Sequence, residues 1–151
     1  LADASPKGDK PGFVQVLDDH TIAIPDRPGN NRLDSMENLL VNPSVGLIFF
    51  IPGVNETLRI NGTVEIRDDE ELRQRFAVDG KPALTVYVVH VKEAYLHCAK
   101  ALMRSKLWAA ESQAPERPIP TAGQMMKEQT GDAAPAELQT DMEARYRKVL
   151  Y

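Results

Sequence analysis

Cysteine occurs once in the sequence, tryptophan once and histidine three times. A single cysteine excludes an internal disulfide and suits a reducing compartment, so a cytoplasmic setting is expected. Cys98 beside His97 cannot complete a tetrahedral zinc site, and His20 and His90 stand at no ligand spacing, so no metal is expected. Cys98 reads instead as a small buried thiol at a strand-to-helix junction. Excess positive charge is also missing: the net charge of −4 argues against nucleic-acid binding, which draws on a basic surface. The longest apolar run, Val45 to Pro52, is far too short to cross a bilayer, so no membrane association is expected. No Gly-x-Gly-x-x-Gly, P-loop or Gly-x-Ser-x-Gly elbow occurs. Asn55-Glu-Thr57 and Asn61-Gly-Thr63 match the glycosylation pattern, but without a secretory context they read as chance. What remains, 42% hydrophobic and 26% charged residues in 151, fits one domain around one core.

The chain opens in strand-like sequence, Leu1 to Ser5, without an initiator methionine or signal peptide, and the natural protein is expected to begin earlier. Gly12–Leu17 and Thr21–Ile24 are β-branched runs joined by the turn residues Asp18-Asp19-His20. Pro25 to Asn31 is turn chemistry ending in two candidate N-caps, Asn30 and Asn31. Leu33, Met36, Leu39 and Leu40 then recur at helical spacing up to Asn42-Pro43. Ser44–Ile51 reads as a strand buried on both faces, and Glu56–Ile66 as one with an exposed side. A short helix over Asp68–Phe76, capped by Asp68 or Asp69, precedes a strong strand from Ala83 through Val91 to Leu96. Short turns between strands imply an antiparallel sheet closing into a barrel. Ala109–Pro120 reads as a linker or arm, followed by helices over Ala122–Gln129 and Glu137–Val149. Leu138, Met142, Tyr146, Val149 and Leu150 form a prospective apolar stripe on the last.

The segment Asp26-Arg-Pro-Gly-Asn-Asn-Arg-Leu33 carries the most chemistry. A rigid turn leads into a helix whose first N–H groups and macrodipole favour an anion. Arg27 and Arg32 add forked donors suited to phosphate. The plainer reading, a capped surface helix flanked by two solvated arginines, stays open. Ser5-Pro-Lys7-Gly-Asp9 offers a strand end and a positive charge to a flat heterocycle, or is simply a turn. Lys100, Arg104 and Lys106 with Trp108 form a short basic and aromatic stretch able to approach an anionic ring, or merely a helix end.

Taken together, ADASPKGD and GFVQVLDDHTIAIPDRPGNNRLDSMENLLVNPSVGLIFFIPG resemble the pyridoxamine 5′-phosphate oxidase-like, FMN-binding split-barrel superfamily. A bacterial subgroup of flavoproteins within it shows the DRPGNNR turn, the ETLRINGTVEI-like strand and the HCAKALMRSKLW segment. The resemblance covers about residues 1–108, the expected FMN-binding domain; residues 109–151 would be a linker and helical extension. It implies a mainly β fold, a six-stranded antiparallel split barrel with peripheral helices, forming a homodimer with FMN at the subunit interface. Lys7 would take the place of a basic residue at the end of a flavin-contacting strand, with Ser5 in the same segment. Asp26 and Arg27 would line the flavin, and Asn31 and Arg32 would grip its phosphate. Thr57 would stand where the vitamin-metabolising oxidases place a glutamine. His97 to Trp108, including Lys100 and Trp108, would reach the cofactor from the second subunit. Those oxidases carry a C-terminal Arg-x-His segment for the substrate's phosphate; here the tail offers Arg145-Tyr-Arg147, so pyridoxamine phosphate is a doubtful substrate. The implied function is an FMN-dependent oxidoreductase of unknown substrate, the alternative a non-catalytic module for FMN, haem or a deazaflavin.

Overall fold

A computed structural model describes residues 3–131 and 136–150. The β-branched runs form strands β1 (Gln15–Asp18), β2 (Thr21–Pro25), β3 (Ser44–Phe49), β4 (Thr57–Arg67) and β5 (Val86–His97). The helical runs form α1 (Asp34–Val41), α2 (Glu70–Arg75), α3 (Lys100–Ser105), α4 (Ala122–Thr130) and α5 (Gln139–Arg147). Every strand pairing is antiparallel, in the order β1-β2-β5-β4-β3.

The long β4–β5 pair is the spine of the sheet. It runs from Thr57 opposite His97 to Arg67 opposite Val86, with one irregularity at Asn61/Gly62 where β5 carries an extra residue. Gly62 is there for steric reasons: a Cβ at this position would stand 2.2 Å from the His90 carbonyl oxygen. One face of the sheet packs Ile22, Ile24, Ile60, Val64, Tyr87 and Val89 beneath Met36 and Leu39 of α1. The other packs Ala23, Val86 and Val88 against Phe76 and Leu72 from the α2 region. Full burial of Val86 and Val89 contributes about 1.5–3 kcal/mol each. Asp69 caps α2 as expected, its side chain accepting the Leu72 N–H.

The described residues form five strands, and β1 and β3 do not pair to close the sheet. Several other expectations are corrected. Residues 3–5 of the strand-like opening carry no strand, and residues 1 and 2 lie outside the described residues. β3 is not buried on both faces: Val45, Leu47 and Phe49 pack into the core under α1 while Ile48 is exposed, because the packing of the α2 region on the opposite face reaches β2 and β5 but not β3. The stripe on α5 does not dock as a whole, since Met142 is buried while Leu138, Tyr146, Val149 and Leu150 are exposed. Cys98 is exposed rather than buried, because β5 carries the chain past the core before α3 begins. Among the described residues no helix is long and apolar enough to cross a membrane.

Candidate functional site

The turn between β2 and α1 is built by local backbone chemistry. Asn31 adopts a left-handed conformation (φ 58°), which asparagine tolerates, and the Asn30 side chain accepts the Arg32 N–H at 3.1 Å. Neither asparagine caps α1, contrary to the expectation: the cap position is Leu33, with no side-chain hydrogen bond. The first N–H groups of α1 are therefore left without a capping side chain, beside the acidic Asp34 and Glu37 of the first turn. Ser35, also in that turn, donates its hydroxyl to Asp3 at 2.5 Å. That hydrogen bond, with help from the Ala4 backbone and the Arg32 charge, holds the Asp3 carboxyl below its usual value against the opposing effect of desolvation.

Two stretches that read separately along the sequence meet as one unit. Lys7 Nζ lies 2.6 Å from Asp26 Oδ1, and Arg27 Nε lies 2.7 Å from Asp9 Oδ2. Residues 5–9 are thus clamped to the end of β2 by two adjacent ion pairs. Arg27 also donates Nη2 to the Phe76 carbonyl at 2.7 Å, tying in the C-terminal end of α2. Its side chain is 16% exposed and that of Asp9 only 3%. This guanidinium is committed to the fold, the two-point contact for which arginine's fork is suited. Arg32 differs: its side chain is 74% exposed and pairs with Asp34, which raises the guanidinium pKa further.

Beside this clamp lies a cleft of about 1330 Å³ between residues 3–7, α1, β3 and the sheet face carrying Tyr87. Its polar lining comes from Asp3, Ser5, Lys7 and Ser35 and, along α1 and the start of β3, from Asn38, Asn42 and Ser44; the larger part is apolar, with Ile24, Leu47, Phe49 and Val89 among its residues. Tyr87 is 7% exposed and forms part of the wall. Burial, and then the Asp26 charge, push its hydroxyl up to about 12. Lys7 Nζ stands 4.8 Å above the centre of the Tyr87 ring.

The expected site residues fall into two groups within one chain. Ser5 and Lys7 line the cleft, Asp26 holds Lys7, and Arg32 stands close enough to Asp3 to bias its protonation. Asn31 is exposed on the adjoining turn, and Arg27 is engaged elsewhere. Of the expected residues only Ser5 and Lys7 line the cleft; Asp26, Arg27, Asn31, Arg32, Thr57, Lys100 and Trp108 do not. Thr57 is buried at the start of β4 opposite His97, and the Trp108 indole donates to the Val54 carbonyl at 2.8 Å. Lys100 is exposed on α3 and forms no ion pair with a described residue. Sequence reading missed Tyr87 and Ser35. Tyr87 sits in an apolar run, with no local signal separating a wall residue from core, whereas Ser35 was findable as a hydroxyl in the first turn of a helix. Among the described residues no group of three or more His, Cys, Asp or Glu side chains is placed to hold a metal ion.

A family model described as pyridoxamine 5′-phosphate oxidase matches residues 2–98. Among solved structures, the chain is similar to HupZ from Group A Streptococcus, with 19% identity over 56% of this chain and 68% of the other and a TM-score of 0.45. It is also similar to a Lactobacillus delbrueckii protein named for pyridoxamine 5′-phosphate oxidase, with 21% identity over 56% and 68% of the two chains and a TM-score of 0.42. No curated protein matches it.

Proposed function

The chain belongs to the pyridoxamine 5′-phosphate oxidase family, and from that premise we propose that it is an FMN-binding flavoprotein, a bacterial oxidoreductase acting as a homodimer. One observation carries the reading: a largely apolar cleft gathers polar groups, Asp3, Ser5, Lys7 and Ser35, beside an uncapped helix N-terminus. FMN has the same two-part character, a phosphorylated chain and a flat ring system. At about 1330 Å³ the cleft exceeds the roughly 300–1,000 Å³ of ordinary ligand pockets, leaving room for a second molecule beside the flavin.

In this reading Asn31, Arg32 and the first turn of α1 hold the phosphate. The exposed Arg32–Asp34 pair supports that role, because a weakly held surface pair exchanges partners at little cost. Arg27 is withdrawn from the phosphate and assigned to the fold. Ser5 and Lys7 flank the ring system. Lys100 and Trp108, which do not line the cleft of their own chain, act from the second copy. Exposed Phe50, Ile51, Leu96 and Met103 supply apolar surface for such a pairing. A sixth strand between β1 and β3, which do not pair with each other, completing a split barrel, belongs to the same reading, as does a division into residues 1–108 and a 109–151 extension. So does a cytoplasmic setting, which suits the exposed thiol of Cys98. Bound FMN supplies the electron chemistry; the chain's residues bind it, orient it and exclude water.

The test is the visible spectrum of the purified protein and the mass of what it releases on denaturation. Flavin bands and the mass of FMN are expected, with bleaching by a nicotinamide donor. A released haem or deazaflavin, or flavin that no donor reduces, would turn the reading towards a binding module. Colourless protein that takes up no added FMN would end it.

A further inference from the structure

Asp26 stands behind the cleft lining and reaches the site through Lys7. An ammonium group has three N–H donors on a flexible stem and ordinarily samples many directions. At Lys7 two directions are taken. One donor meets Asp26 Oδ1 at 2.6 Å, and the group is held 4.8 Å above the centre of the Tyr87 ring. Asp26 is itself fixed, because its backbone N–H donates to Thr85 at 2.8 Å and its carbonyl accepts from Leu84 at 3.1 Å. Its side chain is 13% exposed against 34% for Lys7, so the carboxylate forms the base of the pair and the ammonium its tip. The remaining donor belongs to a residue lining the cleft.

We propose that Asp26 is a positioning residue: it contacts no ligand itself and aims the Lys7 ammonium, across the Tyr87 ring, at the electron-rich carbonyl edge of a flat heterocycle in the cleft. The inference rests on the flavin reading for the identity of that heterocycle, but not for the positioning itself.

Two measurements separate the parts. In the ligand-free full chain, brief acetylation with acetic anhydride followed by mass spectrometry compares Lys7 with Lys10, which is exposed nearby. Asp26→Asn is expected to raise the Lys7 to Lys10 reactivity ratio at least threefold, and Asp26→Glu to change it less. An unchanged ratio in a folded variant overturns the positioning, and Asp26→Glu keeps the comparison available should the amide variant not fold. The second measurement titrates wild type and Asp26→Asn with FMN and with riboflavin, which lacks the phosphate. Both affinities are expected to fall about tenfold, because the aimed group meets the ring. A loss confined to FMN means that Lys7 serves the phosphate, and the inference fails. Wild-type protein that binds neither flavin defeats the flavin reading, while the labelling ratio still decides whether Asp26 positions Lys7.

Discussion

Arg27→Ala separates a fold residue from a ligand residue. In the structure this guanidinium bonds Asp9 Oδ2 and the Phe76 carbonyl, both at 2.7 Å, and joins three segments that are distant in sequence. Removing it leaves a carboxylate that is only 3% exposed without its cationic partner. Breaking a buried pair in this way costs about 3–5 kcal/mol. Asp9 keeps the Lys10 backbone N–H at 2.7 Å, which places the expectation at the lower end, about 3 kcal/mol. Against a total stability of about 5–15 kcal/mol that is a large share. With a urea m-value of about 2 kcal/mol/M, the unfolding midpoint falls by about 1.5 M. Asp9→Ala with Arg27→Ala should recover part of the loss, because the buried carboxylate is removed together with the guanidinium. The reasoning fails if Arg27→Ala unfolds at the wild-type midpoint. It fails more tellingly if the folded variant loses FMN affinity at full stability, since Arg27 would then be a phosphate ligand.

Arg32→Ala should behave in the opposite way, leaving the unfolding midpoint in place and weakening FMN binding about tenfold or more, with riboflavin unaffected; equal FMN affinities in a titration would remove Arg32 from the phosphate site. Gly62→Ala drives a methyl group into the His90 carbonyl and should cost about 1–3 kcal/mol in the same urea assay, whereas an unchanged midpoint would mean that β5 yields there without penalty. Tyr87 links stability to alkaline pH. Its ionisation is pushed up from 10.0 to about 12 on folding, so the stabilisation is complete below about pH 10 and is lost as pH climbs towards 12. Tyr87→Phe should flatten that fall, and an identical profile would show that other groups cause it.

Much of the fold was legible because its signals are local. The alternation in Glu56–Ile66, the β-branched run in Val86–Val91, the Asp69 cap and the stop at Asn42-Pro43 depend on neighbours along the chain, and each appears where the pattern puts it. The cation-rich turn at Asp26–Arg32 and the Lys7 segment were also visible as chemistry. Their joint arrangement was not. Sequence spacing cannot say that Lys7 will meet Asp26 and Arg27 will meet Asp9, because each pair is closed by β1 and β2 folding back across the intervening residues. Nor does it separate two similar arginines five residues apart, of which one is locked against the end of α2 and the other faces solvent. The same holds for β3, whose apolar composition suggested burial on both faces, whereas only the face under α1 is covered and the α2 region packs over β2 and β5. The sequence by itself determined which residues become strand, helix and turn, since those preferences act over a few bonds. Only the tertiary structure decided which charges are spent on one another and which remain for a ligand, because that depends on burial and on partners brought from far along the chain.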